Sequence, residues 1–353
     1  MTDERGPVLG RPAVLQTADA IAAVQARDGH IPWTVGGKCD PWNMVEAAMA
    51  LDVAGRHDRA RMAYRWLMAR QLPHGGWHAY YQGDDVLDPA FDTNVSAYFA
   101  AGVWHHFLST GDEDFLAEAW PVVEATADHV VEFQHSDGRI AWRADDPDDG
   151  ALLTGSSSVH MSLRCALAIA RHLGHGRSCW AGAVDALADA IAHRENDFLD
   201  KRRWAMDWYY PILGGVLRGD AARARIDARW DEFVVDGLGV RCVADRPWIT
   251  AAETGELAMT LVAIDDVARA RDLLQWVQFL RHEDGSYWCG MNFEGERFDR
   301  PGQYFTADQP TWNSAAIVLA AHTLDGVGPT AGFFRDDLLS AEALAVSPSS
   351  TPV

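Results

Sequence analysis

The sequence predicts an all-α fold, a closed (α/α)6 barrel of six inner and six outer helices. Two alternating patterns point there. Six short loops run into helices that are apolar on nearly every side, and their starts are marked by Asp40, Asp92, Ser156, Asp207, Glu253 and Asp308. Between them lie amphipathic helices with a clear polar stripe. A helix apolar all round is buried on every side, whereas a striped one covers the surface. Strict alternation of the two kinds describes an inner ring wrapped by an outer one.

Each element follows in order, with rough bounds. Residues 12–26 form an amphipathic helix that stops at Asp28-Gly29. Asp40 sits where a cap belongs before inner helix 41–55, and Pro41 suits its first turn. The outer stretch 59–71, in DRARMAYRWLMARQ, is followed by Asp92 and inner helix 92–109, whose NVSAYFAAGVWHHF has no polar face. Residues 113–134 carry the stripe of AWPVVEATADHVVEFQ. Ser156 opens inner helix 156–173, with 178–197 outside it. Asp207 opens 207–218, with 220–233 outside; Glu253 opens 252–265, with 266–281 outside. Asp308 precedes 309–324, whose outer partner is the first helix of the chain. Strand signals are confined to short loop pieces such as GLGVRCV.

A second repeat alternates with the acids. QARDGHIPW (25–33) is echoed by QHSDGRIAW (134–142), and more loosely by QLPHGGWHAY (71–80) and FLRHEDGSYW (279–288). Asp-Gly supplies the left-handed turn that stops a helix. The aromatic that follows is placed to tuck beneath the next loop.

Composition narrows the function. The 353 residues carry a formal net charge of -21. Phosphate binding needs clustered Lys and Arg, so no nucleic-acid partner is expected, and no anionic membrane. Hydrophobic content of 48% supports a sizeable core. We expect a single domain over 1–335 and a Ser/Pro-rich C-terminal tail over 336–353. The five cysteines are scattered without a CxxC pair, which points to a reducing cytoplasm and away from a disulfide or zinc framework. No metal or cofactor is expected. MTDERGPVLGRPAVLQ lacks the apolar core of a secretory signal, and no stretch is long enough to span a bilayer. The oligomeric state stays open.

Parallel inner helices would open all their N-termini at one end. The mouth would then collect acids together with Trp33, Trp42, Trp77, Trp208, Tyr209, Tyr210, Trp248 and Trp312. Acids and aromatic plates at one opening make a carbohydrate-cleaving cleft. Taken singly, each acid is more readily a helix cap and each Trp more readily core.

The Q-x-x-D-G-x-W-like repeats resemble those of prenyltransferases and triterpene cyclases, which are also α/α toroids. DRPWITAAETGELAMTL resembles the (α/α)6 glycoside hydrolases of the glucoamylase and unsaturated-uronyl-hydrolase kind. Over nearly the whole chain the pattern is most similar to the mycobacterial 3-O-methylmannose polysaccharide hydrolases. That resemblance implies an intracellular endo-acting α-(1→4)-mannosidase with a methylated mannan as its polysaccharide substrate. Glucoamylase-like relatives imply inversion at the anomeric carbon.

Glycoside hydrolysis needs one protonated carboxyl and one ionised carboxylate. Glu253 is the first choice for the acid, in a small apolar segment five residues after Trp248; Glu256 is its rival. Asp40, after a glycine pair, is the choice for the base. Asp92, Asp207 and Asp308 are alternates, Asp308 in ADQPTWN mirroring Asp40 in DPWN. Trp33, Trp42, Trp208, Trp248 and Trp312 are candidate sugar plates. Tyr210, Arg246, His160, Asn94 and Asn313 are candidates for bonding hydroxyls. Asp146-Pro147-Asp148-Asp149 matches the D-x-D-D pattern of proton-initiated isoprenoid cyclases, though it sits in a polar loop. A cyclase, a sugar epimerase using His160 and His322, and a non-catalytic glycan or acyl-chain binder are therefore the alternatives.

Overall fold

The computed structural model describes residues 6–143, 150–293 and 308–335. The Asp146–Asp149 string and the segment after 335 lie outside the described residues. Among those residues the inner set of helices is α2 (Pro41–Val53), α4 (Thr93–Thr110), α6 (Leu153–His172), α8 (Ala205–Leu213), α11 (Ala251–Ala263) and α13 (Thr311–Asp325). The outer set is α1 (Arg11–Val24), α3 (His57–Met68), α5 (Glu113–Val131), α7 (Ser178–His193), α9 (Gly219–Ala228) with the short α10 (Trp230–Phe233), and α12 (Val267–Trp276).

Each inner helix packs on two inner neighbours. The contacts run α2 to α4, α6, α8, α11, α13 and back to α2, which closes a ring. Outer helices cover the seams: α3 lies on α2 and α4, α5 on α4 and α6, α12 on α11 and α13. The first helix, α1, packs on the last inner one, α13. Apolar composition explains the sorting. From Met44 to Asp52 every residue of α2 is buried, and from Asn313 to Ala321 every residue of α13 is.

Two of the inner helices start where an aspartate caps them. Asp40 accepts the Asn43 N–H and Asp92 the Val95 N–H. Three other expected starts are corrected. Helix α6 begins at Leu153, so Ser156 lies inside it; α8 has Trp204 at its cap, with Asp207 in the first turn; α13 is capped by Pro310, so Asp308 lies before it.

The Gln-Asp-Gly repeat has a structural job. Gln25 Nε2 donates to the Gly29 carbonyl (2.8 Å), closing its own turn, and to the Arg59 carbonyl of α3 (2.9 Å). Gln134 does the same with Gly138 (2.9 Å) and Ala183 of α7 (2.8 Å). Gly29 and Gly138 have positive φ, and a Cβ on either would collide with the backbone of the neighbouring outer helix, at Met62 and Ala186. The repeat docks one outer helix on the next and carries no reactive chemistry.

Among the described residues two small antiparallel sheets decorate the ring. The hairpin of β1 (His78–Gln82) and β2 (Asp85–Phe91) was not expected. GLGVRCV holds β4 (Gly239–Arg241), which lies between β3 (Val234–Val235) and β5 (Trp248–Thr250), with β6 (Gly290–Asn292) beyond.

Candidate active site

The first turns of all six inner helices line one cavity of about 530 Å³. Asp40, Trp42 and Glu46 come from α2, Asp92 and Asn94 from the start of α4, Thr154 from α6, Asp207 from α8, Glu253 and Glu256 from α11, and Trp312 from α13. The six N-termini therefore open together. Each is an end of partial positive charge, where carboxylates are favoured.

The acids differ in how they are held. Asp40 is buried and takes three donors: Asn43 N–H on Oδ1 (2.9 Å), and Trp33 Nε1 and Asn43 Nδ2 on Oδ2 (2.7 Å each). Burial raises its carboxyl above the ordinary range, and those donors pull back toward the ion. Asp92 accepts from the Val95 N–H and from Trp142 Nε1, and burial pushes it up to about 6. Asp207 accepts from Thr154 Oγ1 (2.6 Å) and is also raised by burial.

On α11, Glu253 and Glu256 are three residues apart and share a face. Thr250 Oγ1 donates to Glu253 Oε2, and the buried Cys242 thiol also bonds this carboxyl. Glu256 sits one turn deeper. Tyr209 donates to its Oε2 and Tyr210 to its Oε1 (2.7 Å). Burial pushes Glu256 up to about 7.

Glu46, which sequence reasoning missed, lines the same cavity. Trp42 Nε1 donates to its Oε1 (3.1 Å). Burial, with the charge of Glu256 adding to it, holds Glu46 well above the usual carboxylate range. Its signal was a charged residue inside a helix otherwise apolar all round.

Aromatic rings wall the cavity. Trp33 meets Trp312 and Tyr80 edge to face, at 5.9 and 6.0 Å between centroids. Lys38 Nζ sits 4.0 Å from the Trp33 ring centre. Trp42 packs against Tyr98 at 5.6 Å and Tyr210 at 6.0 Å. Trp142, Trp204 and Tyr80 also face the cavity and were missed as plates. Tyr80 arrives on the unforeseen hairpin, while Trp142 ends the second copy of the repeat, in the place that Trp33 holds in the first.

Several expected site residues lie elsewhere. Trp208 is fully buried, donates Nε1 to the Arg225 carbonyl (2.8 Å) and stacks on Phe233 at 5.2 Å. It follows Asp207 by one residue, about 100° round the helix, so it points into the wall. His160 is buried with Nδ1 on the Gly214 carbonyl (2.8 Å), tying α6 to the end of α8. Trp248 and Arg246 pack on each other at 5.9 Å along the β4–β5 hairpin, outside the cavity lining. Asp308 lines a separate groove with α1. Asn313 accepts the Ala252 N–H (3.0 Å), fastening α11 to α13. Tyr210 is not part of the lining and acts on Glu256 from behind.

Comparison with known proteins now bears on this cleft. No family model matches the chain. The MMP endo-(1,4)-3-O-methyl-alpha-D-mannosidase of Mycolicibacterium hassiacum is 46% identical over 344 residues, covering 95% of this chain and 94% of that protein. The chain belongs to the family of this endomannosidase. Solved structures agree in fold. A glycosidase in complex with glucose superposes with a TM-score of 0.72 at 16% identity, over 90% of this chain and 96% of that one. An alpha-amylase from Clostridium perfringens gives 0.65 at 11%, over 90% and 99%. A rhamnosidase from Klebsiella oxytoca with rhamnose bound gives 0.62 at 12%, over 89% and 64%. At such identities the likeness is one of fold: a helix-rich glycosidase architecture. Family membership and the acid-lined cleft place the chain among the glycosidases.

Among the described residues no group of His, Cys, Asp and Glu is arranged to hold a metal ion. No helix among them is long and apolar enough to cross a membrane. All five cysteines are free thiols.

Proposed function

We propose that this protein is an endo-acting α-(1→4)-mannosidase that cuts a 3-O-methylated mannose polysaccharide in the cytoplasm. The observation that carries this is the 46% identity to the mycobacterial endomannosidase along almost the full length of both chains. An acid-lined, tryptophan-walled cavity supports it independently. Apolar ring faces suit a methylated pyranose, and the indole N–H groups suit polar atoms at its edge. Five free thiols fit a reducing compartment.

The closed ring of six inner helices and its outer cover support an (α/α)6 barrel spanning residues 1–335 as one domain, with 336–353 as a tail. Within it, Glu253 is the general acid and Asp40 the general base. Glu253 lines the cavity from the first turn of α11, whereas Glu256 sits one turn deeper with both oxygens engaged by tyrosines. That favours Glu253 for giving a proton to a leaving oxygen. Asp40 sits across the mouth, held by three donors that favour its ionised form. The helix between them in the ring, α13, separates α2 from α11. Adjacent helix axes lie about 8–10 Å apart, so the two carboxyls have room for a water between them.

The test is incubation of the purified protein with 3-O-methylmannose polysaccharide, unmethylated α-(1→4)-mannan and amylose. The expected result is new reducing ends from the methylated substrate, with fragments of intermediate length appearing first. Release of monosaccharide alone would replace endo with exo action. Binding without new reducing ends would make the cleft a glycan-binding site.

A further inference from the structure

The floor of the cleft holds two carboxyl groups that the mechanism above does not use. Glu46 on α2 and Glu256 on α11 both line the cavity, and Trp42 and Tyr210 link them. Trp42 bonds Glu46, its ring packs edge-on against Tyr210, and Tyr210 bonds Glu256. Both carboxyls are buried, at 9% and 5% exposure. The charge of Glu256 bears on Glu46, and two like charges so buried do not both ionise.

We propose that Glu46 and Glu256 hold one proton between them and grip a sugar ring from below, Glu46 donating to one ring-substituent oxygen and Glu256 accepting from a neighbouring hydroxyl. The gripping role rests on the cleft being a sugar site; the shared proton does not. The bonding decides which partner is ionised. Glu256 receives two phenol hydroxyls, one of them at 2.7 Å. Glu46 receives an indole N–H at a longer 3.1 Å and one phenol hydroxyl, from Tyr98. The better-solvated anion is therefore Glu256. An acid beside an anion offers one donor and one acceptor, which matches an ether oxygen next to a free hydroxyl. A methyl ether can only accept, so it selects for the protonated member.

The groups that act on this pair come from several helices. Asp40 caps the helix that carries Glu46, Tyr98 comes from α4, Tyr209 and Tyr210 from α8, and Glu253 from α11. Cys165 of α6 faces Tyr98 behind them. No cation appears among these groups, so none of them compensates a second negative charge. As pH rises the pair loses its proton, Glu46 loses its donor, and sugar binding weakens.

Two measurements on the full chain test this. The first needs no ligand: infrared difference spectra across pH should show a protonated-carboxyl band at neutral pH that is lost in Glu46→Gln. In Glu256→Gln the same band should persist but titrate at lower pH, because the like charge is gone. The second uses the Glu253→Gln background, where the catalytic acid cannot titrate, with an α-(1→4)-linked 3-O-methylmannose oligomer followed by tryptophan fluorescence. Affinity should fall by about tenfold, roughly 1.4 kcal/mol, as pH rises from the neutral range, and Glu46→Gln added to that background should bind with no pH dependence. Melting curves establish that each variant is folded, and Glu256→Gln carries the infrared test if Glu46→Gln is not. An unchanged carboxyl band in both single variants, or the same pH dependence with and without Glu46, overturns the proposal. If the wild-type protein cuts no polysaccharide while the band behaves as stated, the sugar-site reading fails and the shared proton stands.

Discussion

Replacing Glu253 by Gln isolates proton donation from everything else the residue does. Glu253 is 8% exposed, in the first turn of α11, with Thr250 Oγ1 on its Oε2. The amide oxygen of Gln can take over that bond and leaves its NH₂ toward the cleft, so shape, packing and one hydrogen bond survive. What disappears is the transferable proton. General acid catalysis is worth about 100- to 10,000-fold, or roughly 2.7 to 5.5 kcal/mol of barrier at 1.36 kcal/mol per decade. The loss should fall on kcat with KM nearly unchanged, because the ground-state contacts remain. The decisive assay compares two leaving groups. With the natural polysaccharide, which leaves as a poor alkoxide, Glu253→Gln should lose the full factor. With a mannosyl fluoride, whose leaving group needs no proton, activity should largely return. A loss of equal size on both substrates would refute the acid role. Normal turnover by Glu253→Gln together with an inactive Glu256→Gln would move that role one helical turn deeper.

The same geometry predicts inversion: proton NMR early in the reaction should show an α-linked substrate releasing β-product, and α-product first would remove Asp40 as water activator. Trp208→Ala should cost stability of about 3–5 kcal/mol, seen as a lowered melting temperature, whereas Trp42→Ala should chiefly weaken sugar binding; the reverse assignment would contradict the placement of the two rings. At the far end of α2, Asp52 is buried and takes Nδ1 of both His57 and His106 at 2.9 Å. Burial opposes the Asp52 charge, yet the bonds from His106 and His57 win and leave it below its ordinary 3.8, while the Asp52 bond raises His57 above 6.5. The Asp52 contribution is present above pH 3.8 and lost as pH falls through its depressed value; the His57 contribution is present below 6.5 and lost as pH rises through its raised one. Asp52→Asn should therefore destabilise by about 3 kcal/mol between those limits, with a smaller difference at either extreme, and denaturant melts at several pH values will show it.

Most of the architecture was legible because burial writes itself into helix composition. The expected inner and outer stretches fall within a few residues of the observed helices, since a helix surrounded by neighbours has no place for a polar stripe. Side-chain direction was much less legible. Asp207 reaches the cleft and Trp208 does not, a difference of one residue in helical phase that the loop-to-helix boundary must locate first. Glu46 escaped notice because attention went to helix starts, although an acid in the middle of a buried helix is the costlier and more informative placement. Asp308 misled in the opposite way. Its DQPTW run mirrors the DPW of Asp40, but α13 begins at Thr311 rather than directly after the acid, and the carboxyl falls into another groove.

The polarity of the ring accounts for where chemistry sits. Six parallel inner helices gather six partly positive N-termini at one mouth and their negative C-termini at the other. The cavity acids follow that polarity. Asp40, Asp92, Asp207 and Glu253 lie at or within the first turn of their helices, whereas Asp52 in the last turn of α2 is held by His57 and His106 instead. Helix dipoles thus lower the cost of crowding carboxyls at one end, while burial raises their proton affinity. The balance leaves a mouth in which some acids are ionised and others keep a proton near neutral pH, as Asp92 at about 6 and Glu46, held well above the usual carboxylate range, illustrate. A glycosidase needs both states side by side, and a positively charged oxocarbenium-like transition state is stabilised by the ionised ones. Moving the same residues to the opposite end of the same helices would reverse the dipole contribution, so the fold itself favours the N-terminal mouth for this reaction.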